Sequence, residues 1–299
     1  MAETRNEPSQ SSGNWFLRRF PEMDEAQFRQ WQSLLEYRTG MTLMPDRKSF
    51  LETNLGIRMR EIGCASFQAY YEKVVSGSEG VVEWATLVDR LTVQETRFQR
   101  DPEAFRLVSD YIRTRPRDFL KRRPLEAWSV GCSTGEEPYT LAMLLNESMI
   151  QLALPPLFGV TGSDISKPAI EKAHRGLFSS RKLIGMDEEL KNRYFRPAEQ
   201  NSVSIVESIR RRVCFTRLNV LDLKKAPMHG MNIIFCQNLL IYFRQWRRRE
   251  IVTRLSERLA PGGLLVLGQG ELTDWQPPCL QRVPSENVLA WIRRQPDEE

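Results

Sequence analysis

Trp128-Ser129-Val130-Gly131-Cys132-Ser133-Thr134-Gly135-Glu136-Glu137-Pro138 reads as a buried strand that enters a turn of small residues and opens directly onto a helix. The glycines let a ligand approach the backbone, and the helix start offers N–H groups without intrahelical partners. Glu136, Glu137 and Pro138 all suit a first helical turn, so Glu136 is either a ligand contact or only a partner of the helix dipole. The turn lacks a Gly-Lys-Ser/Thr run, departs from G-x-G-x-x-G, and carries two carboxylates where phosphates would be repelled. A neutral or cationic ligand fits it better.

Outward from this turn, short β-rich runs alternate with helical ones. Strands are expected at Ala127–Val130, Phe158–Ser163, Val213–Leu218, Met231–Cys236 and Gly263–Leu267, with helices over Pro138–Ile150, Pro168–Arg175 and Gln245–Leu259. Such alternation specifies a parallel sheet flanked by helices. The second strand ends in Gly162-Ser163-Asp164, placing a carboxylate at the edge where acidic residues hold ribose hydroxyls in doubly wound folds, although Asp164 could equally cap the following helix. The run Asn232–Phe243 is a buried strand ending in the amides of Gln237 and Asn238. It reaches Tyr242, which is read either as a site hydroxyl or as a core aromatic. Between Asp187 and Arg212 the pattern changes: Val203, Ile205 and Val213, Phe215 bracket a polar turn and predict a short antiparallel insert over 187–216.

Upstream the periodicity is helical. Phe28, Trp31, Leu34, Leu35 and then Leu51, Leu55, Met59, Ile62 recur at helix spacing, which predicts a small all-helical domain over 15–91. Segment 92–124 follows, ending in a basic connector rich in Arg, Lys and Pro, and 125–299 forms the second domain. A chain of 299 residues with 41% hydrophobic content can bury two modest cores. Residues 1–14 are polar, without an apolar stretch behind their charges, and read as a disordered tail instead of a signal peptide.

No apolar stretch approaches the ~18 residues of a membrane span; Met149–Val160 is broken by Gln151 and Pro155-Pro156. A cytoplasmic protein without membrane insertion is expected. The five cysteines form no C-x-x-C pair and no Cys/His cluster, so neither a disulfide framework nor a zinc site is predicted, and mostly buried thiols are expected. A net charge of +5 favours an acidic partner without choosing its kind.

The stretches Trp128–Leu145, Gly162–Gly176, Ile233–Phe243 and Ala260–Glu271, in this order, resemble the chemotaxis receptor methyltransferases, the CheR family. The resemblance extends to Leu91-Thr92-Val93-Gln94-Glu95-Thr96-Arg97-Phe98-Gln99-Arg100-Asp101, similar to the family's N-E-T-x-F-F-R-D signature, and to the helical stretch Lys48–Tyr71. It implies an α/β, Rossmann-like doubly wound S-adenosylmethionine methyltransferase sheet with a small antiparallel insert, preceded by the helical domain. By the same resemblance Gln94, Thr96, Arg100, Glu136, Asp164, Asn219, Val220, Gln237 and Asn238 join Gly131 of the glycine turn in the S-adenosylmethionine pocket, with Arg100 and Tyr242 beside the reactive methyl. The acceptor it implies is a glutamate in the cytoplasmic helical region of a methyl-accepting chemotaxis protein, and the product is S-adenosylhomocysteine.

The chain departs from the family pattern where Gln94 replaces Asn, Gln99 replaces Phe, and Gln237 replaces Arg. The first keeps an amide and the last removes a charge, so altered activity or a regulatory, donor-binding role stays open. A glutamate with ordinary pKa ~4.3 is ionised at neutral pH and needs no general base, which agrees with a chain holding only His174 and His229 and no metal constellation. A nucleic-acid methyltransferase would share the fold, but Asn238-Leu239-Leu240-Ile241-Tyr242 is too apolar for a base-stacking motif of the N-P-P-Y kind. No nucleic-acid partner is expected, and the chain should act as a monomer. Arg47 and Arg58, eleven residues apart, would nearly eclipse on one helix with Lys48 and Arg60 nearby, giving either a receptor-docking face or a solvated basic face.

Overall fold

The computed structural model describes residues 22–92, 95–115 and 123–295; the expected tail, Gln94 and most of the basic connector lie outside them. Four helices come first: α1 (Glu25–Thr39), α2 (Lys48–Glu61), α3 (Phe67–Val75) and α4 (Gly77–Leu91). Asp24 starts α1 with a capping box to Gln27, and Gly40 ends it in the left-handed conformation. Phe28, Trp31, Leu34, Leu35, Leu51, Leu55 and Met59 share one buried cluster, against which Ile62 packs. Tyr70, fully buried, donates to Glu83 at 2.7 Å, and Glu83 also receives Arg58 at 2.7 Å. A buried carboxylate is tolerated when it is paired this way.

The helix α5 (Pro102–Arg113) leads into a seven-stranded sheet of β1 (Leu125–Val130), β2 (Phe158–Asp164), β6 (Val213–Arg217), β7 (Met231–Cys236), β8 (Leu259–Leu267), β9 (Leu280–Arg282) and β10 (Leu289–Arg293), ordered β6-β2-β1-β7-β8-β10-β9. The first five strands run parallel, while β10 and β9 add antiparallel pairs that the alternation did not predict. Helices α6 (Glu136–Gln151), α7 (Lys167–Arg175) and α10 (Gln245–Arg258) make the crossovers. Side chains of β1 alternate between faces: Leu125 and Ala127 join the core with α5 and α6, and Trp128 and Val130 join the core with α10. Both faces being covered, the strand reads as a continuous apolar run.

β1 is the strand from which the order departs in both directions, so its carboxyl edge and that of β7 flank the crevice where doubly wound sheets bind ligands. A second, three-stranded antiparallel sheet joins β3 (Leu177–Ser179), β5 (Ser202–Ile205) and β4 (Phe195–Ala198), with the short helices α8 (Glu188–Tyr194) and α9 (Glu207–Arg210) beside it. Its strands are therefore not those predicted. Val203 and Ile205 pair with 177–179 and 195–198, while Val213 and Phe215 belong to the main sheet opposite Val160 and Gly162. The reason is local, since a Cβ at Gly162 would meet the Phe215 ring at 2.8 Å, so the missing side chain seats that ring and locks β6 to β2. The cysteines also depart from expectation: Cys132 and Cys236 are buried, Cys64 and Cys279 partly so, and Cys214 on the edge strand is exposed.

Candidate active site

At the crevice the backbone turns sharply. Gly131 (φ +77°) and Gly135 (φ +99°) take left-handed conformations, and Asn238, after β7, does so at φ +58°. The N–H groups of Gly131 and Cys132 both bond the Ser163 carbonyl, at 2.8 and 2.9 Å, which ties the turn to the end of β2. A side chain at Gly131 would press on Leu239 at 3.1 Å, so glycine keeps the floor of the cleft open.

Two connected cavities occupy the cleft and share Gly131, Ser133, Asn238 and Tyr242. The smaller, about 80 Å³, is bounded by Asp164, Leu218, Asn219 and Val220 from the sheet side and by Thr39, Met41, Leu91 and Thr92 from the helical segment. The larger, about 210 Å³, is bounded by Glu95, Thr96, Arg97, Arg100, Glu137, Gln237 and Ile241.

In the smaller cavity Asp164 accepts the Ser133 N–H at 2.8 Å and the Ser166 N–H at 2.9 Å. It does not cap the following helix, since Ser166 does so by accepting from Ala169. Burial pushes the Asp164 carboxyl up, against the pull of its backbone donors. Asn219 donates to the Arg38 carbonyl at 2.8 Å and accepts from Leu221 at 3.1 Å, so its amide joins the sheet edge to α1.

In the larger cavity Arg100 is held by the Glu95 carbonyl at 2.8 Å and is exposed at the mouth. Tyr242 lies on a short 3-10 turn and borders both cavities; its carbonyl accepts the Thr42 N–H at 2.7 Å. Burial pushes its hydroxyl up, with Arg47 and Arg100 pulling it down. That turn rests on Glu271, 1% exposed, whose carboxylate accepts Leu240 N–H and Gly268 N–H, each at 2.7 Å. Gln237 donates to Asp101 at 2.9 Å, and Asp101 caps α5 through the Ala104 N–H.

The paired glutamates after the glycine turn separate in the structure. Glu136 turns to Lys182, at 3.1 Å, and accepts from Thr134 at 2.7 Å, while Glu137 borders the larger cavity and accepts from Ser129 at 2.7 Å. Burial pushes Glu137 up to about 8, with Glu271 adding and Ser129 and Arg100 opposing. Which of the two faces the cavity is not set by the sequence pattern, because consecutive helical residues differ by 100° in direction and a first turn accepts carboxylates at either position. The first-turn role open to both glutamates gave no signal for Glu137, and the strand residue Ser129 that donates to it did not stand out either.

The segment bearing Thr96 and Arg100 is clamped by the small sheet. Phe98 stands edge-on to Phe178, centroids 4.9 Å apart, and to Phe195, at 5.1 Å, and Lys182 donates to the Thr96 carbonyl. Gln99 sits in the left-handed conformation at φ +51° and its N–H reaches Thr140. The predicted docking residues divide: Arg58 is bound to Glu83 and Glu61, Lys48 to Glu25, Arg47 precedes α2 over the Phe50 ring, and Arg60 is exposed. His174 lies against Phe215 and His229 beside Arg258, both away from the cleft. Among the described residues no group of three or more His, Cys, Asp or Glu side chains is arranged to hold a metal ion, and no helix is long and apolar enough to cross a membrane.

Residues 26–92 match the family model described as CheR methyltransferase, all-alpha domain, and residues 94–288 match CheR methyltransferase, SAM binding domain. Among curated relatives, chemotaxis protein methyltransferase 2 of Vibrio cholerae is 30% identical over 253 residues, 83% of this chain and 85% of that one. Chemotaxis protein methyltransferase of Escherichia coli K12 is 29% identical over 252 residues, 83% and 85% of the two chains. The Klebsiella aerogenes protein of that name is 29% identical over 277 residues, 91% and 92%.

Proposed function

The chain belongs to the CheR methyltransferase family, and from its S-adenosylmethionine-dependent methyl-transfer chemistry we propose a glutamate side chain of a methyl-accepting chemoreceptor as the acceptor. The carrying observation is a cleft with an exposed arginine, Arg100, at its mouth, placed to receive an anionic acceptor that is already ionised at neutral pH. The cleft fits the donor: Gly131 leaves a floor that a Cβ would fill, and Ser133 Oγ, bordering both cavities, is buried without a hydrogen-bond partner among the described residues.

We assign Asp164, Asn219, Val220 and Asn238 to the nucleoside part, and Thr96, Arg100, Gly131, Glu137 and Gln237 to the amino-acid part. Glu136 is a support for the Thr96 loop in this assignment, and Gln94 keeps the role its resemblance implies. When bound, S-adenosylmethionine supplies an electrophilic methyl on a sulfonium sulfur. Arg100 orients the incoming carboxylate, and Tyr242 lines the point where the two cavities meet. The carboxylate oxygen forms the new C–O bond as the C–S bond breaks, with no proton moved, so orientation is the main demand on the protein. On the acceptor side Arg47 is the docking residue nearest the mouth. Lys48 and Arg60 extend that basic edge, and Arg58 supports it through Glu83.

The test is radiolabelled methyl transfer to receptor cytoplasmic fragments, beside calorimetry with S-adenosylhomocysteine. Arg100→Ala should cut the transfer rate at saturating donor about a hundredfold, a larger loss than the about tenfold weakening of product binding expected from its place at the amino-acid end. A wild-type protein that binds the product and methylates no fragment would make this chain a donor-binding regulator.

A further inference from the structure

On α10 the buried side chains Ile251, Val252 and Leu255 define the inward face, and Trp246 falls on the side opposite to them. Trp246 is 54% exposed, and its ring carries the Arg247 guanidinium 4.2 Å from the centroid. Ile241, 49% exposed, stands five residues before Trp246 and also borders the larger cavity, which puts one exposed apolar side chain at the reactive cleft and one on the first turn of α10. Arg249, three residues after Trp246 and on the neighbouring row, is exposed and lies 5.7 Å from the Trp275 ring.

Charge around this surface is strongly one-sided. Leaving aside the buried Arg258, residues 244–257 hold five arginines and two glutamates, a balance of +3. Glu36 of α1 takes up Arg244, and Glu250 is shared between Arg247 and Arg254, which leaves the region basic. Arg248 spends its donors on carbonyls of Ile241 and Phe243, which hold the cavity rim and leave its charge uncompensated. Exposed tryptophan and isoleucine set among arginines have the composition that dominates binding energy at protein interfaces.

We propose that Ile241, Trp246 and Arg249 form a second lip of the acceptor-binding surface, seating an acidic protein segment that carries the methylated glutamate. The proposal rests on the glutamate reading above, because an acceptor carboxylate entering the larger cavity must bring its flanking residues across Ile241. Trp246 packs against the apolar side of that segment, and Arg249 meets carboxylates that flank the target. Arg47 is near enough to Tyr242 to pull its hydroxyl's proton affinity down, which adds a further positive group for the acidic segment to meet.

Initial rates with a receptor cytoplasmic fragment test this on the full chain. Trp246→Ala with Arg249→Glu should raise the KM for the fragment about tenfold, leave the rate at saturating fragment and the affinity for S-adenosylhomocysteine unchanged, and flatten the rise of KM with salt. Arg249→Gln alone, which keeps the helix and removes one charge, should give about a third of the effect on a logarithmic scale. An unchanged KM overturns the proposal, as does a loss confined to binding of single-stranded oligonucleotide. Should the wild-type protein transfer no methyl, the glutamate reading fails separately. Fluorescence anisotropy of the same fragment then still decides the surface: equal binding by wild type and double variant, or none by either, overturns it.

Discussion

The wall of the cleft around Asp164 is backbone fixed by the parallel sheet, whereas the wall around Arg100 is a loop clamped from outside by a second, smaller sheet. At the first, Asp164 is satisfied by two N–H groups from consecutive turns, and α1 closes over it through Asn219 and the Arg38 carbonyl. At the second, Arg100 is tied to one carbonyl of its own loop, and Phe98 and Lys182 carry that loop's position into β3 and β4. The difference matches the two tasks proposed for these walls. A nucleoside is held best by fixed dipoles, while a reacting carboxylate must enter and leave past side chains whose support can be tuned separately.

Breaking the rigid end should cost most. Asp164→Ala removes the acceptor for Ser133 and Ser166 N–H and leaves both donors to water or to nothing, so affinity for S-adenosylhomocysteine should fall about a hundredfold by calorimetry. Asp164→Asn, retaining one acceptor oxygen, should fall less. Equal, small losses for both would show that the sheet edge holds the nucleoside without this side chain.

The clamp of the reactive end is the next target. Lys182→Met deprives the Thr96 carbonyl of its donor and leaves Glu136 buried without its cation. The transfer rate at saturating substrates should drop about tenfold with product affinity nearly unchanged, because misplacing a loop affects the reaction more than binding. Adding Glu136→Gln removes the unpaired charge. A rate that stays low in the double variant identifies the lost loop contact, and full recovery would assign the whole effect to the buried charge.

Glu137 offers a way to sharpen the contrast without disturbing the fold. In the free protein burial keeps its carboxyl neutral up to about pH 8, whereas a cation in the larger cavity favours the ionised form. Binding therefore takes the proton off near neutrality, and affinity for S-adenosylhomocysteine, through its ammonium group, should rise about tenfold from pH 7 to pH 9 as the carboxylate fraction grows from about a tenth to about nine-tenths. Glu137→Gln should flatten this profile. The free protein shows the opposite slope: the folded pKa lies above the unfolded one, so this group's contribution to stability is full below the ordinary carboxylate range and is lost as pH rises towards 8.

The contrast also explains what was legible in the sequence. The rigid end was in part, since Gly131 and Asp164 occupy positions that the strand–turn–helix order fixes, and a strand's last residue must lie at the sheet edge; Asn219 came only by the resemblance. The reactive end was legible only as a resemblance. Nothing in the order of residues says that Phe98 will meet Phe178 and Phe195, about 80 and 97 positions on, or that Lys182 will reach Thr96. The same distance hid the true partners of Val203 and Ile205, because strand pairing in a small insert depends on which neighbour the main sheet claims first, and Gly162 claims Phe215. Arg58 looked like a surface charge because its buried partner Glu83 stands on a different helix.

The smallest expected effect concerns Gln237, where the resemblance implies an arginine. Gln237 is 6% exposed and gives its amide to Asp101, a hydrogen bond that ties β7 to the cap of α5 without a positive charge at this position. Gln237→Arg should keep that tie as a charged pair and leave a residual positive field in the larger cavity, where Glu137 and the acceptor carboxylate both feel it. The KM for a receptor fragment should then fall about threefold, and the Glu137-dependent rise of donor affinity should move to lower pH, because a cation nearby favours the carboxylate. An unchanged melting temperature would show that the longer side chain is accommodated. If the KM stays the same while the pH profile moves, the charge reaches the donor end and not the acceptor, and entry of the carboxylate is governed by Arg100 and the mouth of the cleft alone.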